Sequence, residues 1–215
     1  MSDTKAMQRL CGLMRKAVQQ YEMLAPGDRV LVGVSGGKDS VALTIGLARL
    51  RQYLPEDIGA LALEEAPPRF HARLSCTEKS YLYRIWNSGA PNVFERKYLY
   101  RYPGALDTDA MRRAAQAIIG EHDFTAFCSN RHMKKSAVRT LKSIEIDRQG
   151  DELRILLTGN GFLYNMVRII VGTLIEAGRG ERDAENVAAA LQSRDRKNAG
   201  FTAPAQGLCL WDVRY

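Results

Sequence analysis

Long apolar runs, clustered cysteines and a secretion signal are all missing from this sequence of 215 residues. No apolar stretch approaches the roughly 18 residues that a membrane-spanning helix needs. Residues 1–9 lack the apolar middle of a secretion signal, so we expect a soluble, cytoplasmic protein with no membrane partner. The four cysteines show no CxxC or Cys/His spacing, and the three histidines stand apart, which argues against a disulfide framework or a metal site.

The composition is that of a folded protein with a modest basic excess. Hydrophobic residues make up 46% of the chain and charged residues 26%, which argues against disorder. The formal net charge is +7, from 31 basic and 24 acidic residues. Such an excess fits a protein that binds a polyanion, but solubility alone would also explain it.

The first quarter of the chain has the order helix, strand, loop, helix. Apolar residues recur at helical spacing over residues 7–22 and again over 41–53. Between them, RVLVGV at 29–34 is typical of a parallel strand, and the Gly-rich loop SGGKDS follows it directly. Paired glycines between a strand and a helix let backbone N–H groups face one anion. The alternative is a tight turn with no ligand.

The remainder of the chain predicts a second domain. Strands are expected at 79–87, 141–147, 152–157 and 207–213, and helices at 106–120, 162–176 and 184–193. Asp107 is placed to cap the first of these helices, and Gly172 permits close packing of the second. The order predicts a ferredoxin-like α+β fold, an antiparallel sheet with helices on one face. We place the domain boundary between residues 54 and 55.

The N-terminal segment resembles the PP-loop of N-type ATP pyrophosphatases, and most closely the start of tRNA 2-thiocytidine synthetases. The resemblance implies ATP as a ligand of the loop. It covers residues 7–55 only, and the further strands and sulfur-handling cysteines of that family do not follow. The α/β segment is therefore expected to be truncated. The residues that the resemblance assigns to nucleotide binding are Ser35, Gly36, Gly37, Lys38, Asp39 and Ser40.

From about residue 54 onward the chain resembles the C-terminal part of TruA-type tRNA pseudouridine synthases. The matching motifs, in the order of that family, are LPEDI, FHAR, KSYLYRIWN, HDFTAF, GNGFLYNMVRIIVGTLIEAGRG and TAPAQGL. The resemblance implies isomerisation of uridine in the anticodon stem-loop of tRNA, no required cofactor, and a homodimer that covers an exposed sheet edge.

Three residues carry roles that this resemblance implies. Tyr81 in KSYLY matches the active-site tyrosine that lies against the target uracil, as an aromatic face suits a flipped base. Arg168 in MVRII matches the active-site arginine, a partner for the catalytic carboxylate or for phosphate. Arg73 in FHAR matches a basic position near the RNA. Taken singly, Tyr81 fits an ordinary strand aromatic, and Arg168 a charge that snorkels from an apolar helix, equally well.

A basic segment after HDFTAF is a candidate phosphate-binding surface. It contains no carboxylate, so it would neutralise phosphates without reading the RNA sequence. The alternative is a solvated loop and strand edge. Its candidate residues are Arg131, Lys134, Lys135, Arg139 and Lys142.

The nucleophilic aspartate of the resembled family is missing. That family holds it in an RTDAGVHA-like motif before LPEDI, and no such motif occurs in this chain. Asp39 follows a strand, but its place in the Gly-rich loop gives it another explanation. Three alternatives to an active synthase follow: an inactive tRNA-binding protein, an ATP-dependent tRNA-thiolating enzyme, and a fusion of two tRNA-modification genes.

Overall fold

The computed structural model describes residues 64–67, 69–130 and 136–215, together with positions 9, 12, 16, 33 and 34. The chain divides into two compact units, Met1–Cys76 and Thr77–Tyr215. In the first unit, β1 (Gly33–Val34) pairs in parallel with β2 (Glu64–Glu65). Arg9, Gly12 and Lys16 are helical, in agreement with the helix predicted over 7–22. The predicted helix over 41–53 and the predicted boundary at 54/55 lie outside the described residues.

The second unit is built on a mixed sheet of six strands. These are β3 (Glu78–Trp86), β4 (Tyr100–Arg101), β5 (Gly120–Asp123), β6 (Val138–Gln149), β7 (Glu152–Gly159) and β8 (Leu208–Arg214). The longer strands lie in the order β8–β3–β7–β6, with β5 outside β6. β4 continues the edge of β3 that β8 occupies, at Ile85 and Trp86. The order of the four long strands is that of a split βαβ fold, which agrees with the predicted α+β class.

Three helices accompany this sheet: α1 (Thr108–Gln116), α2 (Met166–Gly178) and α3 (Ala184–Ser193). Asp107 caps α1 as predicted, because its carboxylate accepts hydrogen bonds from the N–H groups of Asp109 and Ala110. Asp183 begins α3 with a capping box that pairs it with Asn186. The predicted bounds of α3 are confirmed.

The core lies between the helices and one face of the sheet. Strand alternation places Tyr81, Tyr83 and Ile85 of β3 on that face, and Tyr83 and Ile85 are fully buried. The opposite face is more polar, with a Ser80–Thr158 hydrogen bond and ion pairs between Arg84 and Glu152. Core residues of the other elements include Met111, Ile118, Phe124, Phe127, Leu141, Ile144, Ile146, Leu153, Ile155, Leu157, Met166, Ile169, Ile170, Leu174 and Val187.

Three local predictions need correction. The sheet is mixed, since β4 is parallel to β3, whereas an antiparallel sheet was predicted. α2 begins at Met166 and not at residue 162, because Asn165 has a left-handed backbone with a φ of 61°. The helix predicted over 106–120 spans only Thr108–Gln116, and Gly120–Asp123 forms the short edge strand β5, which was not predicted.

Candidate active site

Tyr81 lies on the helix-facing side of β3 and is partly buried. Its ring meets the ring of Phe162 edge to face, with centroids 5.1 Å apart and an interplanar angle of 83°. Phe162 belongs to the loop between β7 and α2, so this contact joins the strand to the loop that precedes Arg168. The edge-to-face arrangement fixes the orientation of the Tyr81 ring.

Arg168 lies in the first turn of α2, and the protein holds its guanidinium at two points. Nε donates to the carbonyl oxygen of Ala203 at 2.6 Å, and Nη1 donates to Oδ1 of Asn165 at 3.1 Å. The backbone N–H of Ala203 donates in return to the Arg168 carbonyl oxygen at 3.0 Å. The other guanidinium N–H groups make no hydrogen bond to the described part of the chain, so they are open to an anionic partner.

Tyr83 links Tyr81 to Arg168. Its hydroxyl donates to the carbonyl oxygen of Pro204 at 2.6 Å, next to the carbonyl that receives Arg168. Burial, and to a smaller extent Tyr100, raises the pKa of Tyr83 above its ordinary value of 10.0, while Arg168 opposes this. The phenol therefore stays protonated and remains a donor. Tyr81 lies two residues away on the same face, so the structure brings Tyr81 and Arg168 to one region.

Asn165 gives the loop before α2 its shape. Its φ of 61° lies in the left-handed region, which asparagine tolerates better than most residues. Its side-chain amide donates to the hydroxyl oxygen of Ser129 at 3.2 Å, and the Ser129 N–H donates to the Tyr164 carbonyl oxygen at 3.2 Å. Asn165 thus positions Arg168 from one side, as Ala203 does from the other.

The segment after α3 packs tightly against α2. A Cβ added at Gly172 would lie 1.9 Å from the carbonyl oxygen of Phe201, so only glycine fits there. This agrees with the close packing predicted for Gly172. The contact also fixes the approach of the chain to Ala203, which holds Arg168.

Sequence reasoning missed three positioning residues, Tyr83, Asn165 and Ser129. Alternation in KSYLY placed Tyr83 on the same face as Tyr81, which was an available signal. Asn165 directly before the apolar run of α2 was a second signal, because asparagine is common where backbone φ is positive. Ser129 carried no signal, since its role depends on a contact with a residue 36 positions away.

The basic segment is only partly described, since Arg131, Lys134 and Lys135 lie outside the described residues. Arg139 donates through Nη1 to the carbonyl oxygens of Ser136 at 2.9 Å and Val138 at 2.6 Å. Lys142 forms an ion pair with Glu78 at 2.6 Å, and this hydrogen bond lowers the pKa of Glu78. Although the segment itself has no carboxylate, β3 supplies one, so part of the Lys142 charge is balanced.

Arg73 belongs to the first unit and is exposed in a turn. Its backbone N–H donates to Nδ1 of His71 at 3.1 Å. Ser35, Gly36, Gly37, Lys38, Asp39 and Ser40 lie outside the described residues. The roles assigned to these residues remain predictions.

The described residues hold neither a metal-binding cluster nor a membrane-spanning helix. No group of three or more His, Cys, Asp or Glu side chains among them is arranged to hold a metal ion. Among the same residues, no helix has the length and apolar character that crossing a membrane requires.

Comparison with known proteins identifies the family. A family model described as tRNA pseudouridine synthase matches residues 114–215. The tRNA pseudouridine synthase A of Anoxybacillus flavithermus is 48% identical over 166 residues, which cover 77% of this chain and 67% of that protein. The tRNA pseudouridine synthase A 1 of Bacillus cereus is 41% identical over 218 residues, covering 94% of this chain and 87% of that protein.

These relatives lend no support to the PP-loop resemblance. Residues 1–54 make up a quarter of the chain, so an alignment that covers 94% of it includes most of them. The identity and the coverage of these two relatives together show the family of the chain. The chain belongs to the tRNA pseudouridine synthases, which are isomerases.

Proposed function

We propose that this chain isomerises uridine to pseudouridine in tRNA, in the anticodon stem-loop. The observation that carries the proposal is the anchoring of Arg168 beside the face on which Tyr81 lies, through Ala203 and Asn165. An aromatic face and a fixed guanidinium are the groups that a flipped nucleobase and an anionic partner require. The names of the relatives support tRNA as the substrate.

The reaction balances without an external reactant. The bond between C1′ of the ribose and N1 of uracil breaks, and a bond between C1′ and C5 forms. The proton on C5 passes to solvent, and N1 takes up a proton. Product and substrate therefore have the same composition, and no cofactor is consumed.

The residues of the site have separate roles in this proposal. The ring of Tyr81 lies against the uracil, held in orientation by Phe162. The free N–H groups of Arg168 orient a carboxylate at the sugar or bind the adjacent phosphate. Tyr83 and Asn165 act as positioning residues, since they fix the Ala203–Pro204 backbone and the Arg168 guanidinium.

The carboxylate that attacks the sugar is the open part of this proposal. Asp3, Asp28, Asp39 and Asp57 precede Tyr81, and none lies in an RTDAG-like motif. The absence of that motif favours a second candidate function: tRNA binding without isomerisation. Both candidates use the same basic segment and the same pair of residues, Tyr81 and Arg168.

The deciding experiment measures tritium release from tRNA transcribed with [5-³H]uridine, using the full chain. Release, with loss of release in Arg168→Lys and not in the exposed control Arg113→Lys, supports the synthase. Salt-dependent tRNA binding without release supports the second candidate and contradicts the first. Asparagine variants of the four aspartates then identify the nucleophile of an active enzyme.

The proposal includes a homodimer, which the family resemblance implies. One edge of β8 pairs with β3, and no other described strand pairs with the second edge of β8. The unpaired N–H and C=O groups of a strand edge favour pairing with a second chain or another segment. Sedimentation equilibrium of the full chain tests this: a monomer at micromolar concentration would contradict it.

A further inference from the structure

The loop between β3 and β4 presents unusual apolar exposure. We call residues 89–98 the aromatic loop. The side chain of Phe94 is 94% exposed, Val93 is 55% exposed and Tyr98 is 49% exposed. Single exposed apolar residues are common on protein surfaces. An adjacent valine and phenylalanine, both exposed at the tip of one loop, depart from the usual burial of apolar side chains, and such departures are typical of functional sites.

The aromatic loop is held in one conformation by its own contacts. The Trp86 indole N–H donates to the Ala90 carbonyl oxygen at 2.7 Å. The Asn92 side chain accepts the N–H of Glu95 at 3.0 Å, and the Tyr98 N–H donates to the Glu95 carbonyl oxygen at 2.8 Å. The bond between Asn92 and Glu95 closes a turn whose two corner residues are Val93 and Phe94, which explains their exposure.

An ion pair anchors the same turn to the sheet. Arg84 lies on the polar face of β3, and its guanidinium contacts the Glu95 carboxylate at 3.1 Å. Arg84 also binds Glu152 at 2.7 Å, so it is fixed between the loop and β7. The backbone that carries Phe94 is therefore positioned before any partner arrives, which lowers the entropy cost of binding.

The charge around Phe94 is positive. Arg96, Lys97 and Arg101 are all exposed, whereas the one acidic residue, Glu95, is paired with Arg84. Arg96 donates to the Val93 carbonyl oxygen at 2.8 Å, which keeps its cation next to the turn. An exposed aromatic ring among unpaired cations matches the chemistry of a nucleic-acid strand, with bases that stack and phosphates that are anionic. An apolar protein surface would leave these cations without partners.

The aromatic loop does not share a face of the sheet with Tyr81. Arg84, which contacts Glu95 of the loop, lies three residues from Tyr81 on β3, about 10 Å along an extended strand. The Arg84 side chain is on the polar face of the sheet, whereas Tyr81 is on the helix-facing side, so the loop approaches the sheet from the face opposite Tyr81.

We infer that Phe94 stacks on an unpaired nucleobase of the tRNA, away from the target uridine, while Arg96 and Lys97 bind its phosphates. This inference rests on the proposed function in that the partner is tRNA. Because the contact forms with bound substrate and transition state alike, it contributes to KM and not to kcat.

The test uses the full chain and an unmodified tRNA transcript at fixed salt. Phe94→Ala is expected to weaken tRNA binding about 5- to 100-fold, the range that loss of one stacked base gives, whereas Phe94→Trp keeps it. Val93→Ala is the matched control in the same turn and is expected to change affinity less than about 2-fold, because it carries no ring. In an active enzyme, Phe94→Ala raises KM and leaves kcat unchanged.

The outcomes separate the inference from the proposed function. If the wild-type chain binds tRNA and Phe94→Ala binds it equally well, the inference is wrong and the proposed function stands. If the wild-type chain does not bind tRNA, both fail. A Phe94→Ala variant that keeps its tRNA affinity but changes sedimentation mass assigns the aromatic loop to a protein interface and also overturns the inference. Circular dichroism and the melting temperature show that each variant is folded.

Discussion

At the residue scale, the guanidinium of Arg168 is the most tightly positioned group of the candidate site. Two of its nitrogens are bound by Ala203 and Asn165, so its planar geometry is used as well as its charge. Lysine supplies the charge but cannot make both contacts and face a carboxylate at once. The side chain at this position therefore has to be arginine for the site to form.

Arg168→Lys is expected to lower turnover by about 100-fold, in the range found when one preorganised donor is lost. Binding of tRNA should change less than about 2-fold, because lysine keeps the positive charge that phosphates attract. Tritium release measures the first quantity and filter binding the second. A variant that keeps full turnover would show that Arg168 is only structural.

Tyr81 is expected to act through its ring. Tyr81→Phe keeps the aromatic face and the contact with Phe162, so it should bind a uridine-containing stem-loop as the wild type does. Tyr81→Ala removes the face and should weaken binding by about 1–3 kcal/mol. Fluorescence anisotropy with a labelled stem-loop measures both. Equal affinities for Tyr81→Ala and the wild type would contradict the assigned role.

At the element scale, the fit of α2 against the segment that follows α3 is the tightest contact described. Gly172→Ala places a methyl group where the Phe201 carbonyl oxygen lies. We expect a loss of about 2–3 kcal/mol in the free energy of unfolding, as for overpacked cores. Chemical denaturation measures it, with Gly89→Ala as the control, since a Cβ there meets nothing within 4 Å. Equal losses in the two variants would contradict the expectation.

The ion pairs between β3, β7 and the aromatic loop give the second unit a dependence on acid. Hydrogen bonds from Arg84, and then from Arg154, lower the pKa of Glu152 below its ordinary value of 4.5. The folded state thus holds this carboxylate deprotonated more strongly than the unfolded state does. Its contribution to stability is complete above about pH 4.5 and is lost as the pH falls through the lowered folded pKa.

Glu152→Gln should therefore cost about 2–3 kcal/mol at pH 7 and flatten the decline of stability below pH 4.5. The free energy of unfolding between pH 7 and pH 3 is the quantity to measure. Glu185→Gln, an exposed change on α3, is the control and should leave the profile unchanged. An unaltered slope in Glu152→Gln would show that other carboxylates cause the decline.

Local sequence signals predicted the elements whose ends are marked by side chains. The helix predicted over 184–193 begins directly after Asp183, which caps α3, and the strands predicted at 141–147 and 152–157 are separated by Gly150, whose φ is +60°. The start of α2 was placed too early because Phe162 and Leu163 continue its apolar pattern. What ends that pattern is the left-handed backbone of Asn165, which apolar periodicity does not encode.

The candidate site was predictable only in part for a similar physical reason. Tyr81 and Arg168 were found because they lie in motifs of a known family. The groups that hold them, the carbonyl oxygens of Ala203 and Pro204, are backbone atoms that every residue type carries. Only the fold shows which of these carbonyls face the site.

At the scale of the whole molecule, the net charge of +7 indicates little about RNA binding by itself. What matters is which basic residues lack a carboxylate partner. Arg139 has no carboxylate partner among the described ion pairs, whereas Lys142 is paired with Glu78. Arg139→Gln should therefore reduce the slope of log K against log salt for tRNA by about 0.7–0.9, the contribution of one phosphate contact. Lys142→Gln should reduce it less. Binding titrations over a series of salt concentrations test this, and an equal effect of both variants would contradict it.

The pairing of β8 with β3 has a consequence for synthesis on the ribosome. Thr77 and Arg214 meet across this pair although they are 137 positions apart in the chain. At ordinary elongation rates, about 7 to 27 s separate the emergence of the two strands. During that interval one edge of β3 is bare, so a nascent chain is exposed to aggregation and to chaperones until β8 arrives.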